Sequence, residues 1–248
     1  MVKNSQISKV IRTLGVIPAR GGSRGIPYKN IAPLAGKPLI YWTISSAQKA
    51  KRLDHFLVST DDPKIAAVAK SFGADVPFFR PKKIAQSNST DIEFLHHALQ
   101  WVEKNRDWHP EYVVLLKPTS PFRTGHDIDC AIDYIEKTGC DSVRTVHRAP
   151  HSPYKMWHFQ RNTDKLRPVL KTKYFAQYAT DVPRQWLEPA FQQDSNVDVT
   201  RTKFIKRGKV WGKDVRGIVV PENKAIDIDT PLDLALAEFL IGKGFYQI

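Results

Sequence analysis

Short apolar runs alternate with segments of helical periodicity along most of the chain, and this alternation constrains the fold more than any other feature. Runs that predict strands lie at 14–17, 56–59, 74–79, 112–116 and 141–146. Segments that predict helices lie at 38–51, 62–72, 90–105, 125–137 and 231–241. Strands that alternate with helices form a mostly parallel sheet with helices on both faces. The sequence therefore predicts a three-layer α/β fold.

Residues 150–216 break this alternation, because they are rich in proline and aromatic residues and have only weak periodicity. We interpret 1–12 as an N-terminal tail, 13–149 as an α/β core, 150–200 as an inserted lobe and 201–248 as a return to the core. The alternative for the inserted segment is a long, partly ordered loop, although loops of this length are uncommon in compact domains.

The chain carries a net charge of +13, which indicates anionic partners. Residues 150–216 hold 14 lysines and arginines against 6 acidic residues, so the excess is regional. Nucleic acid, a membrane surface and a small polyanionic substrate are the three candidates. No RNA- or DNA-binding motif accompanies the charge, and we therefore expect no nucleic-acid partner.

The remaining composition favours a cytoplasmic globular protein. No apolar run approaches the length of a membrane span, and the first nine residues lack the apolar core of a signal peptide. Cys130 and Cys140 are the only cysteines, and neither has a partner at metal-site spacing. We expect no membrane association, disulfide or zinc site.

A glycine-rich loop with several cations follows the first predicted strand, in the sequence Pro18-Ala19-Arg20-Gly21-Gly22-Ser23-Arg24-Gly25-Ile26-Pro27-Tyr28-Lys29-Asn30. We expect the two adjacent glycines to adopt positive φ and to turn backbone N–H groups toward one anion. The loop matches neither the Walker pattern nor the dinucleotide pattern. A solvated surface turn is the competing interpretation.

Polar residues also follow three further predicted strands, at 59–62, 80–81 and 117–123. Ligands of open parallel sheets bind beyond the carboxyl ends of the strands. The sequence therefore predicts a ring of donors and cations at one edge of the sheet.

Two carboxylates near the C-terminus predict a site for a hard cation. Asp227 and Asp229 are two residues apart, so in an extended segment they face the same side while Ile226 and Ile228 face the core. Magnesium favours such a pair when it also binds substrate phosphates. Thr230, Pro231 and Asp233 predict a helix cap, and capping alone is the competing explanation for Asp229.

Taken together, the glycine-rich loop, Pro118-Thr119-Ser120-Pro121-Phe122-Arg123 and Asp227-Ile228-Asp229-Thr230 resemble the motifs of the acylneuraminate cytidylyltransferases. These enzymes use CTP to convert sialic acids and related 2-keto-3-deoxy sugar acids into CMP-sugars. The resemblance runs from about residue 14 to residue 240. It implies a nucleotidyltransferase fold of the glycosyltransferase-A type and a homodimer or tetramer formed through the inserted lobe.

The resemblance also implies roles for individual residues. Arg20, Lys29, Asp227 and Asp229 would be catalytic, with Mg²⁺, or Mn²⁺ in its place, bound by the two aspartates. The nucleotide would contact Arg20, Gly21, Gly22, Ser23, Lys29, Asn30, Arg80, Ala85, Ser87, Pro118 and Thr119. The sugar acid would contact Lys117, Lys155, Arg184 and Gln185, and two of these, Lys155 and Arg184, would complete the site of the neighbouring subunit.

Two departures from the family pattern concern the sugar side. Lys117 stands where the family usually has glutamine, and Asp194-Ser195 stands where many members have Asn-Gly. A lysine replaces a two-way hydrogen bonder with a fixed cationic donor, which indicates an acceptor other than ordinary sialic acid. A lysine that points into solvent would change nothing. Another nucleotide, or a shorter 3-deoxy-octulosonate acceptor, stays an alternative.

Overall fold

Ten strands are present in the computed structural model, which describes residues 10–170 and 182–246. They are β1 Thr13–Pro18, β2 Pro33–Leu34, β3 Lys37–Pro38, β4 His55–Ser59, β5 Tyr112–Leu115, β6 Ser142–Arg148, β7 Trp157–Phe159, β8 Leu166–Pro168, β9 Phe191–Arg201 and β10 Val215–Val219. Six of them form the central sheet in the order β10-β6-β9-β5-β1-β4. The other four form two short antiparallel ribbons, β2 with β3 and β7 with β8.

All neighbours in the central sheet are parallel except those of β9, which runs antiparallel to both β5 and β6. The predicted mostly parallel α/β sheet is confirmed. The predicted strand at 74–79 is wrong: this segment makes only two single bridges, Leu57 with Asp75 and Thr60 with Phe79. Pro77 interrupts the segment, and a proline cannot donate to a strand ladder.

The described residues form six α-helices: α1 Leu39–Lys49, α2 Pro63–Ser71, α3 Asp91–Arg106, α4 Gly125–Thr138, α5 Thr202–Lys206 and α6 Pro231–Gly242. The first five pack against the central sheet, and α6 packs against the β2–β3 ribbon. Apolar residues of α1, α2 and α4 form one buried cluster against the sheet, and those of α3 and α5 form a second cluster with Leu14 and Val16. Because β1 contributes Ile17 to the first cluster, it is buried on both faces. The two clusters account for the three layers.

The helix starts follow the local sequence. The Asp62 carboxylate accepts hydrogen bonds from the N–H groups of Lys64 and Ile65, and Pro63 occupies the first turn of α2. Thr230 and Asp233 form a capping box at the start of α6. None of the helices in the described ranges has the length and apolar character needed to cross a bilayer. Cys130 and Cys140 are free thiols.

The strand β9 lies within the range 150–200 that the sequence assigns to an inserted lobe, although its second half is buried in the central sheet. The segment before β9 contains the exposed β7–β8 ribbon, in which Phe159 is 72% exposed and Leu166 is 50% exposed. Trp186 and Phe191 are exposed as well. The part of this segment at 171–181 lies outside the described residues.

An irregularity in β9 falls at Asp194-Ser195. The pairing with β6 shifts between Arg144 and Val146, where Thr145 faces the extra residues. The Thr145 hydroxyl donates to the Asp194 carboxylate at 2.5 Å and accepts from the Val197 N–H at 2.9 Å, so it takes the place of the interrupted ladder. Ser195 has φ of 59°, in the left-handed region that favours glycine.

We predict that Ser195→Gly stabilises the protein. A left-handed φ costs a non-glycine residue about 1–2 kcal/mol, which exceeds the roughly 0.5–1 kcal/mol that glycine loses through chain entropy. Thermal unfolding should show a melting temperature a few degrees above wild type. Ser71→Gly, at a right-handed position in α2, is the matched control and should lower the melting temperature. An unchanged or lower value for Ser195→Gly would contradict the assigned strain.

Candidate active site

A cleft of about 220 Å³ lies beyond the carboxyl ends of β1 and β5, beside the end of β4. Eight residues that the sequence predicts for substrate binding line it, together with five others. The full lining is Pro18, Arg20, Lys29, Asn30, Arg80, Gln86, Ser87, Ser89, Asp91, Phe94, Lys117, Pro118 and Thr119. The polar segments that follow separate strands therefore meet at one edge of the sheet, as ligand sites of open α/β sheets do.

The glycine-rich loop is held in place by hydrogen bonds from its backbone and from its side chains. The Ala19 N–H donates to the Ser59 carbonyl at 2.9 Å, and the Asn30 side chain donates to the Arg20 carbonyl at 3.0 Å. The Arg20 guanidinium donates to the Gln86 carbonyl, and Arg24 donates to the Ser87 hydroxyl at 2.6 Å. These contacts close the loop over the segment 86–89.

The predicted positive φ of Gly21 and Gly22 is wrong, since Tyr28 is the residue of the loop with a left-handed φ, at 51°. Gly21 is required for a steric reason instead. A Cβ at Gly21 would lie 2.8 Å from the Asp62 carboxylate, and the Gly21 N–H donates to Asp61 at 3.0 Å. The sequence did not indicate that these two carboxylates lie so close to the loop. Because the Gly21 N–H already donates to Asp61, it does not donate to the anion that the sequence predicts here.

Lys29 joins the glycine-rich loop to the C-terminal motif. Its ammonium group lies 2.7 Å from Asp229 Oδ1 and donates to the Ile228 carbonyl at 2.8 Å. The loop also approaches the motif closely at Gly25, where a Cβ would lie 2.2 Å from the Asp229 carbonyl oxygen. Two segments that are 200 residues apart in sequence thus form one unit.

The two aspartates of that motif have different environments. Ile228 is fully buried and Ile226 partly so, as predicted, while the Asp229 side chain is 69% exposed. Burial raises the pKa of Asp227, a hydrogen bond from Thr119 opposes the rise, and the charge of Asp229 adds to it. The Asp233 carboxylate, rather than that of Asp229, caps α6. Capping therefore does not explain either member of the pair.

The pair fits a metal that completes its coordination with substrate oxygens. Asp227 Oδ1 is buried and has no hydrogen-bond partner among the described residues. A buried carboxylate oxygen without a partner is costly unless a ligand satisfies it. Over the same ranges no group of three or more histidines, cysteines and acids could hold a metal. Two carboxylates and a substrate triphosphate are a typical magnesium donor set.

Arg80 lies at the base of the cleft and is almost fully buried. It donates to the Ser59 hydroxyl and carbonyl at 3.0 and 2.6 Å, and its guanidinium lies 4.7 Å from the centre of the Phe94 ring. Burial lowers its pKa to about 10. The negative charge of Asp61 opposes this lowering of the pKa. Arg80 is thus a desolvated cation, and an anionic ligand would gain strongly from it.

Arg123 ends a motif of the family resemblance, but the sequence assigned it no role of its own, and in the structure its role is structural. It is buried and donates to the Lys117 carbonyl at 3.1 Å, to the Thr43 hydroxyl at 2.7 Å and to the Asn196 carbonyl. Burial lowers its pKa to about 9. An arginine in a polar loop after a strand is ordinarily exposed, so the sequence carried no signal for this contact. Arg123 fixes the loop that presents Lys117, Pro118 and Thr119.

Lys117 reaches into the cleft and forms an ion pair with Asp91 at 2.8 Å. Both side chains are about one-third exposed or less, so the pair is partly desolvated. The interpretation of Lys117 as a side chain that points into solvent is therefore wrong. The extra positive charge is compensated within the cleft by a carboxylate.

The remaining predicted residues lie outside the cleft lining. Ser23 and Ala85 belong to the segments that border it. Lys155, Arg184 and Gln185 are exposed, and Arg184 donates to the Ala149 carbonyl at 2.8 Å. Within a single chain these three residues do not meet the nucleotide residues, and their predicted contact with a sugar stays a prediction.

Known proteins are similar to this chain over most of its length. A family model described as "Cytidylyltransferase" matches residues 14–211. The CMP-N,N'-diacetyllegionaminic acid synthase of Legionella pneumophila is 33% identical over 93% of this chain and 97% of its own length. The N-acylneuraminate cytidylyltransferase of Escherichia coli O18:K1:H7 is 37% identical over 91% of this chain. The matched region covers 51% of the length of that protein.

Among solved structures, a CMP:2-keto-3-deoxy-manno-octonic acid synthetase complexed with CTP has the same fold. The TM-score is 0.67 at 16% identity, over 94% of this chain and 99% of that one. The family match covers both the glycine-rich loop and the Pro118–Arg123 segment that form the cleft. The resemblance stated from the sequence is confirmed, and the chain belongs to the cytidylyltransferase family.

Proposed function

We propose that the protein transfers the cytidylyl group of CTP to the anomeric hydroxyl of a sialic or related nonulosonic acid and releases pyrophosphate. The observation that carries this proposal is the contact of Lys29 with the Asp227–Asp229 segment at the mouth of a cationic cleft. It brings the predicted phosphate-binding loop and the predicted metal ligands together. Relatives that match nearly the whole chain are named for CMP-nonulosonic acid synthesis.

In this reaction the attacking hydroxyl oxygen forms a bond to the α-phosphorus, the bond to the β-phosphate oxygen breaks, and the hydroxyl proton is lost. Charge builds up on the departing pyrophosphate, so fixed cations near it lower the barrier. Arg20 and Lys29 would hold the β- and γ-phosphates, and buried Arg80 would contact the nucleotide. All three are oriented by hydrogen bonds to backbone carbonyls before substrate binds.

Asp227 and Asp229 would hold the magnesium ion, which would neutralise the phosphate charge when bound. The unpartnered Oδ1 of Asp227 supports this assignment. Lys29 would then exchange its contact with Asp229 for contacts to phosphate. The positive charge of Lys29 would then be balanced by Asp229 without substrate and by phosphate with substrate bound.

A homodimer would complete the sugar side of the site. Exposed apolar side chains are concentrated in this part of the chain, on the β7–β8 ribbon and at Trp186 and Phe191, and exposed apolar side chains in such numbers are typical of an interaction surface. Lys155 and Arg184 are close in sequence to these exposed side chains and lie outside the cleft of their own chain. We propose that they meet the acceptor carboxylate in the neighbouring subunit's cleft, where an arginine fork suits a carboxylate. We also propose that the enzyme works in the cytoplasm, where CTP is made.

The central prediction concerns turnover. We expect pyrophosphate release with CTP, magnesium and a nonulosonic acid in a screen of four nucleoside triphosphates against a panel of 2-keto sugar acids. Asp227→Asn should lower kcat at least about 100-fold, because it removes charge that holds the metal. Asp107→Asn, at an exposed helix end, is the control and should match wild type. The proposal fails if no pair turns over and Asp227→Asn binds CTP as wild type does.

Acceptor choice should depend on Lys117. Lys117→Gln should change the ratio of kcat/KM between N-acetylneuraminic acid and a diacetylated nonulosonic acid about tenfold, since a two-way hydrogen bonder replaces a cation. The KM for CTP should change less. Lys82→Gln, an exposed lysine next to the cleft, is the control. An unchanged ratio would mean that Lys117 does not contact the acceptor.

Sharing of the site between subunits can be tested by complementation. Arg20→Ala and Arg184→Ala should each be inactive when expressed alone. When the two variants are co-expressed and pair at random, about half of the dimers should be mixed, and each mixed dimer should have one intact site of its two. The mixture should therefore show about a quarter of the wild-type activity. Co-expression of Arg20→Ala with Lys29→Ala, which disable the same cleft, should recover nothing. Mixed dimers without recovered activity would contradict an acceptor site that spans subunits.

A further inference from the structure

The strongest run of positive charge in the chain takes no part in the proposed reaction. Residues 201–213 contain six lysines and arginines and no acid. They form the end of β9, α5 and the loop that leads to β10. This region lies at the edge of the sheet where β6 and β10 begin, opposite the edge that carries the active-site cleft.

A second cleft, of about 670 Å³, is formed by this region. Its lining contains four cationic side chains, one carboxylate and two aromatic side chains, and the other lining residues are two glycines and a valine. The lining is Asp141, Lys203, Phe204, Arg207, Gly208, Lys209, Val210, Trp211, Gly212 and Lys213. Its volume is in the range of pockets that bind small ligands.

Three of its cations are uncompensated. The side chains of Arg207, Lys209 and Lys213 have neither an ion pair nor a hydrogen bond among the described residues. The single carboxylate, that of Asp141, accepts from the N–H groups of Lys213 and Asp214 at 3.0 and 3.1 Å and lies 3.6 Å from Lys203. It is therefore already occupied. Converging cations without partners create a strong positive potential in a concave site.

The compensated cations mark the limit of this charge. Lys206 pairs with Glu103 at 2.7 Å, and Arg201 pairs with Glu111 at 3.0 Å. The free charge is thus confined to the cleft and does not extend as a stripe over the surface. A stripe would be typical of a nucleic-acid surface, whereas a bounded concave patch favours a small polyanion.

Trp211 adds a flat aromatic surface to the cleft. Its side chain is 48% exposed, and the Arg144 guanidinium lies 4.7 Å from its ring centre. Arg144 is itself held by two contacts with Asp198, at 3.0 and 3.1 Å. The indole is therefore supported, and it can stack on the ring of a ligand.

The loop is also fixed by close packing. A Cβ at Gly212 would lie 2.3 Å from the Asp141 side chain, and the Gly212 N–H donates to the Ser142 hydroxyl at 3.1 Å. Gly208 takes a φ of 73°. These contacts set the positions of the flanking residues Lys209, Trp211 and Lys213 before any ligand binds.

We infer that this second cleft binds a nucleoside polyphosphate, with the phosphates against Arg207, Lys209 and Lys213 and the base on Trp211. The inference does not depend on the proposed reaction. Free inorganic polyphosphate shares the anionic part of this chemistry. Only a nucleoside also uses the indole, so the two ligands can be distinguished.

Calorimetric titration of the full chain with ATP and with inorganic tripolyphosphate tests the inference. The double variant Lys209→Ala, Lys213→Ala should weaken the binding of both probes at least tenfold and leave pyrophosphate release unchanged. The exposed pair Lys70→Ala, Lys104→Ala removes the same charge elsewhere and should have no effect. Trp211→Ala should weaken ATP binding and leave tripolyphosphate binding intact.

Three results would overturn the inference. The first is equal affinity of both double variants for ATP and tripolyphosphate, which would assign all binding to other sites. The second is binding of a single-stranded oligonucleotide that is lost in the variant Lys209→Ala, Lys213→Ala while ATP does not compete, which would assign the cleft to nucleic acid. A loss of ATP binding to Trp211→Ala alone, with tripolyphosphate unaffected by the lysine variant, would also contradict the assigned phosphate contacts.

Discussion

The contact of Lys29 with Asp229 and the Ile228 carbonyl is the interaction on which the active site depends. The lysine side chain is only 15% exposed, so its ammonium has few water partners and needs the oxygens that this segment supplies. Without the contact, the glycine-rich loop and the C-terminal motif would have no direct link through charged groups. In the proposed reaction the same carboxylate would bind a metal in place of the lysine.

Two buried arginines support this site, and neither pairs with a carboxylate in the part of the chain that the structure describes. Arg80 and Arg123 are both desolvated, and both satisfy their donors mainly with carbonyl and hydroxyl oxygens. Neutral oxygens hold a guanidinium in place and leave its charge largely uncancelled. For Arg80 that charge faces the cleft, where an anionic ligand would use it. For Arg123 it fixes the loop that carries Lys117 to Thr119, so its effect on substrate is indirect.

Much of the fold could be predicted because the determinants are local. The buried strand at the start of the chain, the caps at Asp62 and Thr230 and the alternation of strands and helices all depend on near neighbours. Two features of strand pairing could not be predicted. The strand β9 inserts antiparallel between β5 and β6, and the segment 74–79 makes only isolated bridges. Strand pairing depends on partners distant in sequence, and polar β9 has no apolar run that marks it as central.

The sequence by itself determined the residue types of the phosphate loop, the aspartate pair and the family, because these are patterns of neighbours along the chain. Only the tertiary structure decided that Asp91 neutralises Lys117, that Arg123 is buried, and that Gly21 is required by Asp62 rather than by its φ. It also decided that Asp227 is partly buried while Asp229 is exposed. Burial and ion pairing depend on which segments meet in space, and a linear pattern carries no information about that.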